Sequence, residues 1–88
     1  MVEWKLVFTK QAQKDALKLK SAVLKENAEE LLNILKANPF QNPPSFEKLQ
    51  GELSGFYSRR INIQYRLIYE VLEFNRTVKV VRMWTYYE

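Results

Sequence analysis

Histidine and cysteine are both missing from the 88 residues of this chain. Without cysteine there can be no disulfide and no thiolate-held zinc, and a reducing compartment suits the composition. Without histidine the chain lacks the commonest general acid–base group and the commonest metal ligand. Any catalysis must therefore come from carboxylate, arginine, lysine or tyrosine, and no cofactor is expected. Apolar runs of membrane-spanning length are also missing. The opening Met1-Val2-Glu3-Trp4-Lys5-Leu6 lacks the basic start and apolar run of a signal peptide. The expectation is a soluble, cytoplasmic protein with no membrane association.

Against these absences, 47% of the residues are hydrophobic, enough for a folded core without staples. The length fits one domain spanning residues 1–88. The net charge of +4 is modest, and its distribution carries more information. All five arginines lie in residues 51–88, whereas eight of the nine lysines lie in residues 1–50. The lysines fall mostly on helical segments, where they suit a solvated face. The arginines fall on strands and suit an anion-binding surface.

Val2 to Phe8 alternates imperfectly and predicts a strand. Thr9 is a fair N-cap for a helix over 10–20, with Ala12, Ala16 and Leu19 on one stripe. A second helix comes next, with Leu24, Ala28, Leu31, Leu32 and Leu35 at helical spacing, and Asn38-Pro39 ends it. The two helices are expected to pair on one face of a sheet. All three prolines lie in residues 38–46, a loop inside the domain. Glu47 to Gln50 predicts a short edge strand. Ser54-Gly55 marks an entry turn. Two strands then join through a sharp connection near Asn62 to Tyr65, the second reaching Leu72 or Glu73. A turn near Asn75-Arg76 leads to a last strand over 77–85. The expected class is α+β: two N-terminal helices packed on one face of a mostly antiparallel sheet of four or five strands.

Arg59, Arg60 and Arg66 sit within the central strand pair. Neighbours on a strand point to opposite faces, so Arg59 and Arg60 cannot share one. On the uncovered face the candidates are Glu47, Arg60, Arg66 and the aromatic tail Trp84-Thr85-Tyr86-Tyr87. A carboxylate beside guanidinium groups suits a base working next to a phosphodiester, and aromatic rings suit stacking on unpaired bases. Taken alone, these residues support a basic α+β domain with an RNA-binding surface.

Four stretches make the reading sharper. They are Phe46-Glu47-Lys48-Leu49, Leu53-Ser54-Gly55-Phe56-Tyr57-Ser58-Arg59-Arg60-Ile61, Tyr65-Arg66-Leu67-Ile68-Tyr69, and the ending Arg82-Met83-Trp84-Thr85-Tyr86-Tyr87-Glu88. Together they resemble the Txe/YoeB branch of the RelE toxins, and the likeness runs through nearly the whole chain. The resemblance implies a RelE-like, microbial-ribonuclease-like fold. It implies a toxin of a type II toxin–antitoxin pair that cleaves mRNA in the ribosomal A site. The implied partners are a YefM-like antitoxin, ribosomal RNA and mRNA, with operator DNA reached only through the antitoxin complex. A homodimer is compatible with the sequence.

By position, the resemblance assigns Glu47 as general base and Arg66 as the arginine that stabilises the transition state. Arg60 matches a phosphate contact and Tyr87 a contact to the target base. Arg59, Lys48 and Arg82 complete the candidate RNA- and phosphate-binding set. Two positions depart from the branch. Gln50 stands where a lysine is usual, and Tyr86 stands where a histidine is usual. A phenol, with a reference pKa near ~10, gives up a proton less readily at neutral pH than an imidazolium of about 6.5. Three explanations of Tyr86 stay open: a native tyrosine acid, an attenuating substitution, or a degenerate toxin. The expectation is reduced but nonzero cleavage. The competing reading is an inactive relative that serves as an antitoxin-binding corepressor. A stand-alone RNA-binding domain comes third.

Overall fold

The computed structural model describes residues 3–21, 24–43, 45–49, 55–62 and 65–86, with 21 and 84–86 as backbone alone. The chain runs β1 (Lys5–Phe8), α1 (Lys10–Ser21), α2 (Lys25–Ala37), β2 (Glu47–Lys48), β3 (Phe56–Arg60), β4 (Tyr65–Leu72) and β5 (Thr77–Tyr86). A single 3₁₀ turn, Glu73–Asn75, separates the last two strands. The five strands form one sheet in the order β1-β5-β4-β3-β2. Three of the four pairings are antiparallel, and β1 lies parallel to β5. The two helices pack on the sheet, as their apolar stripes require. The expected fold class holds.

α1 begins where its cap chemistry begins. The Thr9 Oγ1 accepts the Ala12 N–H at 3.1 Å and donates to the Val81 carbonyl at 2.8 Å. One hydroxyl thus satisfies a free amide of the first helical turn and ties that turn to β5. Thr9→Ala is expected to lower stability by about 1–2 kcal/mol, read from a urea unfolding midpoint. An unchanged midpoint would mean that water replaces the hydroxyl. α2 ends at Asn38, whose N–H bonds the Ile34 carbonyl before Pro39 forbids another turn.

The helix stripes enter the core as their spacing requires. Ala12, Leu19, Ala28, Leu31 and Leu35 are buried against Leu67, Tyr69, Val78, Val80 and Met83. Ala16, Leu24 and Leu32 are partly buried against the same cluster. Beside it lies an aromatic group: Phe40 meets Trp4, Phe46 and Tyr57 at 5.7–6.5 Å, and Tyr57 stacks on Tyr69 at 5.6 Å.

Several boundaries are tighter than the sequence suggests. β1 holds Lys5–Phe8, with Val2 outside the described residues, and β2 holds Glu47 and Lys48. Gln50 and Ser54 lie outside the described residues. Gly55 has φ +95°, a conformation that side chains disfavour, and it opens β3. At the β3–β4 connection the Asn62 side chain accepts the Tyr65 N–H at 2.7 Å, standing in for a backbone acceptor. Arg76 takes the left-handed conformation at φ 48° and closes the turn before β5.

Candidate active site

The hairpin register decides which side chains meet. Glu47 pairs with Ser58, Ser58 with Ile68, and Arg60 with Arg66. Directly opposed residues share a face, so Glu47, Ser58, Arg60 and Arg66 project to one side. The intervening residues Tyr57, Arg59, Leu67 and Tyr69 project to the other, where the core cluster lies. Ser45, Phe46, Glu47, Ser58, Arg60 and Arg66 line an open cleft of about 190 Å³.

Within the cleft the Arg66 Nη1 donates to Glu47 Oε1 at 3.1 Å and to Ser58 Oγ at 3.4 Å. The Arg66 side chain is only 11% exposed, while that of Glu47 is 56% exposed. An ion pair with one partner this wet contributes about 0–1 kcal/mol to stability. Its consequence lies instead in positioning. The nearly buried guanidinium is tied to the Ser58 hydroxyl of β3, and the carboxylate is held against it at the solvent edge.

Arg60 faces Arg66 across the strand pair. Like charges directly opposed destabilise a sheet, and among the described residues that line the cleft Glu47 is the one carboxylate beside two guanidinium groups. An anion entering the cleft relieves that repulsion. The planar forks of both arginines match phosphate oxygens. The site can therefore seat a phosphodiester with a carboxylate beside it. The sequence placed Glu47, Arg60 and Arg66 on one uncovered face, and the structure brings them together.

Three sequence expectations are corrected. Arg59 is 1% exposed and faces away from the cleft. Its Nε donates to the Tyr69 hydroxyl at 3.1 Å, and its Nη2 donates to the Pro39 and Gln41 carbonyls at 3.0 and 2.9 Å. Its guanidinium also lies 4.9 Å from the Phe46 ring centre. It braces the 38–46 loop and is withdrawn from any phosphate. Burial pushes the Tyr69 hydroxyl up in pKa, with Arg59 opposing, so the phenol stays a neutral donor to the Pro39 carbonyl. Lys48 pairs with Tyr57 and so projects to the face opposite Glu47. Arg82 donates through Nε to Asp15 of α1 at 2.8 Å and does not line the cleft.

At the chain's end the backbone of Thr85 pairs with Arg66 and that of Tyr86 with Tyr65. The last strand therefore passes beside the cleft arginine. Tyr87 lies outside the described residues. Sequence reasoning missed Ser58, although it stands two residues before Arg60 and must share its face. Among the described residues, no three His, Cys, Asp or Glu side chains gather as a metal-binding group. No described helix is long and apolar enough to cross a membrane.

Residues 8–87 match the model of the YoeB-like toxin of bacterial type II toxin–antitoxin systems. A curated relative, Toxin YoeB of Mycobacterium bovis, is 46% identical over 39 residues, which is 44% of this chain and 46% of the relative. The matched stretch thus spans about half the length of such relatives. Solved structures are matched over nearly their full length. The YoeB/ParE toxin from Agrobacterium tumefaciens superposes with a TM-score of 0.84 at 28% identity, covering 94% of this chain and 99% of that one. The YoeB–YefM complex from Staphylococcus aureus gives 0.79 at 29% identity, covering 96% and 98%.

Proposed function

The chain belongs to the YoeB-like toxins of bacterial type II toxin–antitoxin systems, and on that premise we propose that it is a cytoplasmic endoribonuclease that cuts mRNA in the ribosomal A site. The observation that carries this reading is the cleft itself, where the Glu47 carboxylate lies 3.1 Å from Arg66 with Arg60 on the same face. Glu47 takes the proton from a ribose 2′-OH. The 2′-oxygen then attacks the adjacent phosphorus. Arg60 and Arg66 hold the added negative charge on the phosphorane oxygens. The bond from phosphorus to the 5′-oxygen breaks, leaving a 2′,3′-cyclic phosphate, and Tyr86 gives its phenolic proton to the departing oxygen. Tyr87 contacts the target base. Each step uses the chain's own groups and needs no metal.

The partner in this reading is a YefM-like antitoxin, acidic and partly disordered alone, that folds as it covers the basic surface. A YoeB–YefM complex among the structural neighbours supports it. The exposed lysines of α1, Lys10, Lys14, Lys18 and Lys20, then serve as contacts to ribosomal RNA.

Primer extension on a translated mRNA, with purified chain and ribosomes, tests the proposal. Discrete cuts inside codons are expected. Full-length product from a chain that still binds its antitoxin would overturn it in favour of the corepressor. Tyr86 has its own test. Tyr86→His is expected to raise the single-turnover cleavage rate by about 10- to 100-fold, because an imidazolium is the stronger acid. An unchanged rate, with Glu47→Ala inactive, would remove Tyr86 as the proton donor.

A further inference from the structure

Asp15 occupies a core position on α1. With Ala12, Ala16 and Leu19 it follows the helical spacing of the inward stripe, and it has no exposed surface. Its Oδ2 accepts Arg82 Nε at 2.8 Å and the Met83 N–H at 3.0 Å, and its Oδ1 accepts Gln11 Nε2 at 3.1 Å. Burial alone would push the carboxyl up in pKa. The bonds from Arg82, Met83 and Gln11 outweigh that, and the group lies below its ordinary value. A buried charge this well satisfied is costly to build into a small core, which raises the question of what it holds.

What it holds is an irregularity in β5. Tyr69 pairs with Val80, Ile68 with Arg82, and Arg66 with Thr85. β5 therefore spends two residues on one step of β4 and then three residues on two steps. Had the Tyr69–Val80 register continued without interruption, Met83 would stand opposite Arg66, two residues short of Thr85. The added residues move Thr85 and Tyr86 of β5 back by two positions against the cleft strand. Met83 lies inside the irregular stretch, and its N–H goes to Asp15. A bulge beside an active site commonly re-aims the side chains beyond it.

We infer that Asp15 is a positioning residue. Through the Met83 amide and the Arg82 guanidinium, it holds the bulge that brings Thr85 opposite Arg66 and Tyr86 opposite Tyr65. It touches no reacting atom and acts through the register of β5. Its kinetic consequence rests on the cleavage reading above; the register itself does not.

Asp15→Asn separates the two. The amide keeps the size of the side chain and one acceptor, but loses the charge that binds Arg82. Hydrogen exchange of individual amides is expected to quicken about 10-fold or more at Met83, Thr85 and Tyr86, with Val78 and Val80 unchanged. In the ribosome assay kcat is expected to fall about 10- to 100-fold, with KM for the programmed ribosome held within about 2-fold. Arg82→Gln, which leaves the Met83 bond in place, is expected to act in the same direction and less strongly. It serves as the second test where Asp15→Asn does not fold. Unaltered exchange at Met83 would overturn the inference. So would uniform quickening along all of β5, which would make Asp15 a general stabiliser. Local quickening in a chain whose wild type does not cleave would uphold the register and overturn the nuclease reading instead.

Discussion

Glu47→Ala is expected to slow mRNA cleavage by about 10²- to 10⁴-fold, the range lost with a positioned proton acceptor. Arg66→Ala is expected to cost about 10²- to 10³-fold, the range for removing one stabiliser of developing negative charge. The two losses should not multiply. The Glu47–Arg66 bond of 3.1 Å means each group orients the other, so either deletion also damages its neighbour's contribution. A double variant little worse than Glu47→Ala is the expected outcome. Stability is a separate quantity. Glu47 is more than half exposed, and the ion pair is worth about 1 kcal/mol or less, so Glu47→Ala should melt nearly as the parent does. Arg66→Lys should not restore activity, because an ammonium lacks the planar fork that spans two phosphate oxygens. Single-turnover rates with programmed ribosomes, alongside thermal melts, check all of these. Parent-like cleavage by folded Glu47→Ala would remove the carboxylate from the mechanism.

The second large effect falls on the arginine next door to the cleft. Arg59→Ala is expected to destabilise the fold by about 3–5 kcal/mol. The guanidinium is buried, donates to two carbonyls and a phenol, and packs on the Phe46 ring. Truncation leaves a cavity between Phe46 and Tyr69. It also strips the charged donor from the Gln41 carbonyl, while the Pro39 carbonyl keeps its bond from Tyr69. A domain of this size has about 5–15 kcal/mol in all, so the variant would be marginal. Arg60→Ala, one residue along, is expected to move stability by only about 0.5 kcal/mol, because Arg60 is exposed. Urea unfolding of the two variants side by side reads the contrast. Equal midpoints would mean that the loop braced by Arg59 contributes nothing to the fold.

These two arginines also show how far a linear reading reaches. Alternation along a strand dictates that Arg59 and Arg60 part company, and that much was legible. Which of them turns inward depends on where the aromatic group of Phe40, Phe46, Tyr57 and Tyr69 packs, and those residues are far apart in the chain. Lys48 was misread for a related reason. It neighbours Glu47 in sequence, but a step of one residue on a strand crosses to the other face. Asp15 was overlooked although it interrupts an apolar stripe, because its partners stand 67 and 68 residues away.

By itself, then, the order of residues determined the two helices and their buried stripes, the antiparallel hairpin, and the toxin family. The elements come from local periodicity, caps and turns, and the family from the resemblance of four motif stretches. Tertiary structure alone decided that β1 lies parallel to β5, that Arg59 braces a loop while Arg60 faces the cleft, and that a helix carboxylate bonds the irregular stretch of the last strand. Those outcomes depend on contacts between segments distant in the chain, where burial and geometry choose among pairings that local sequence leaves equal.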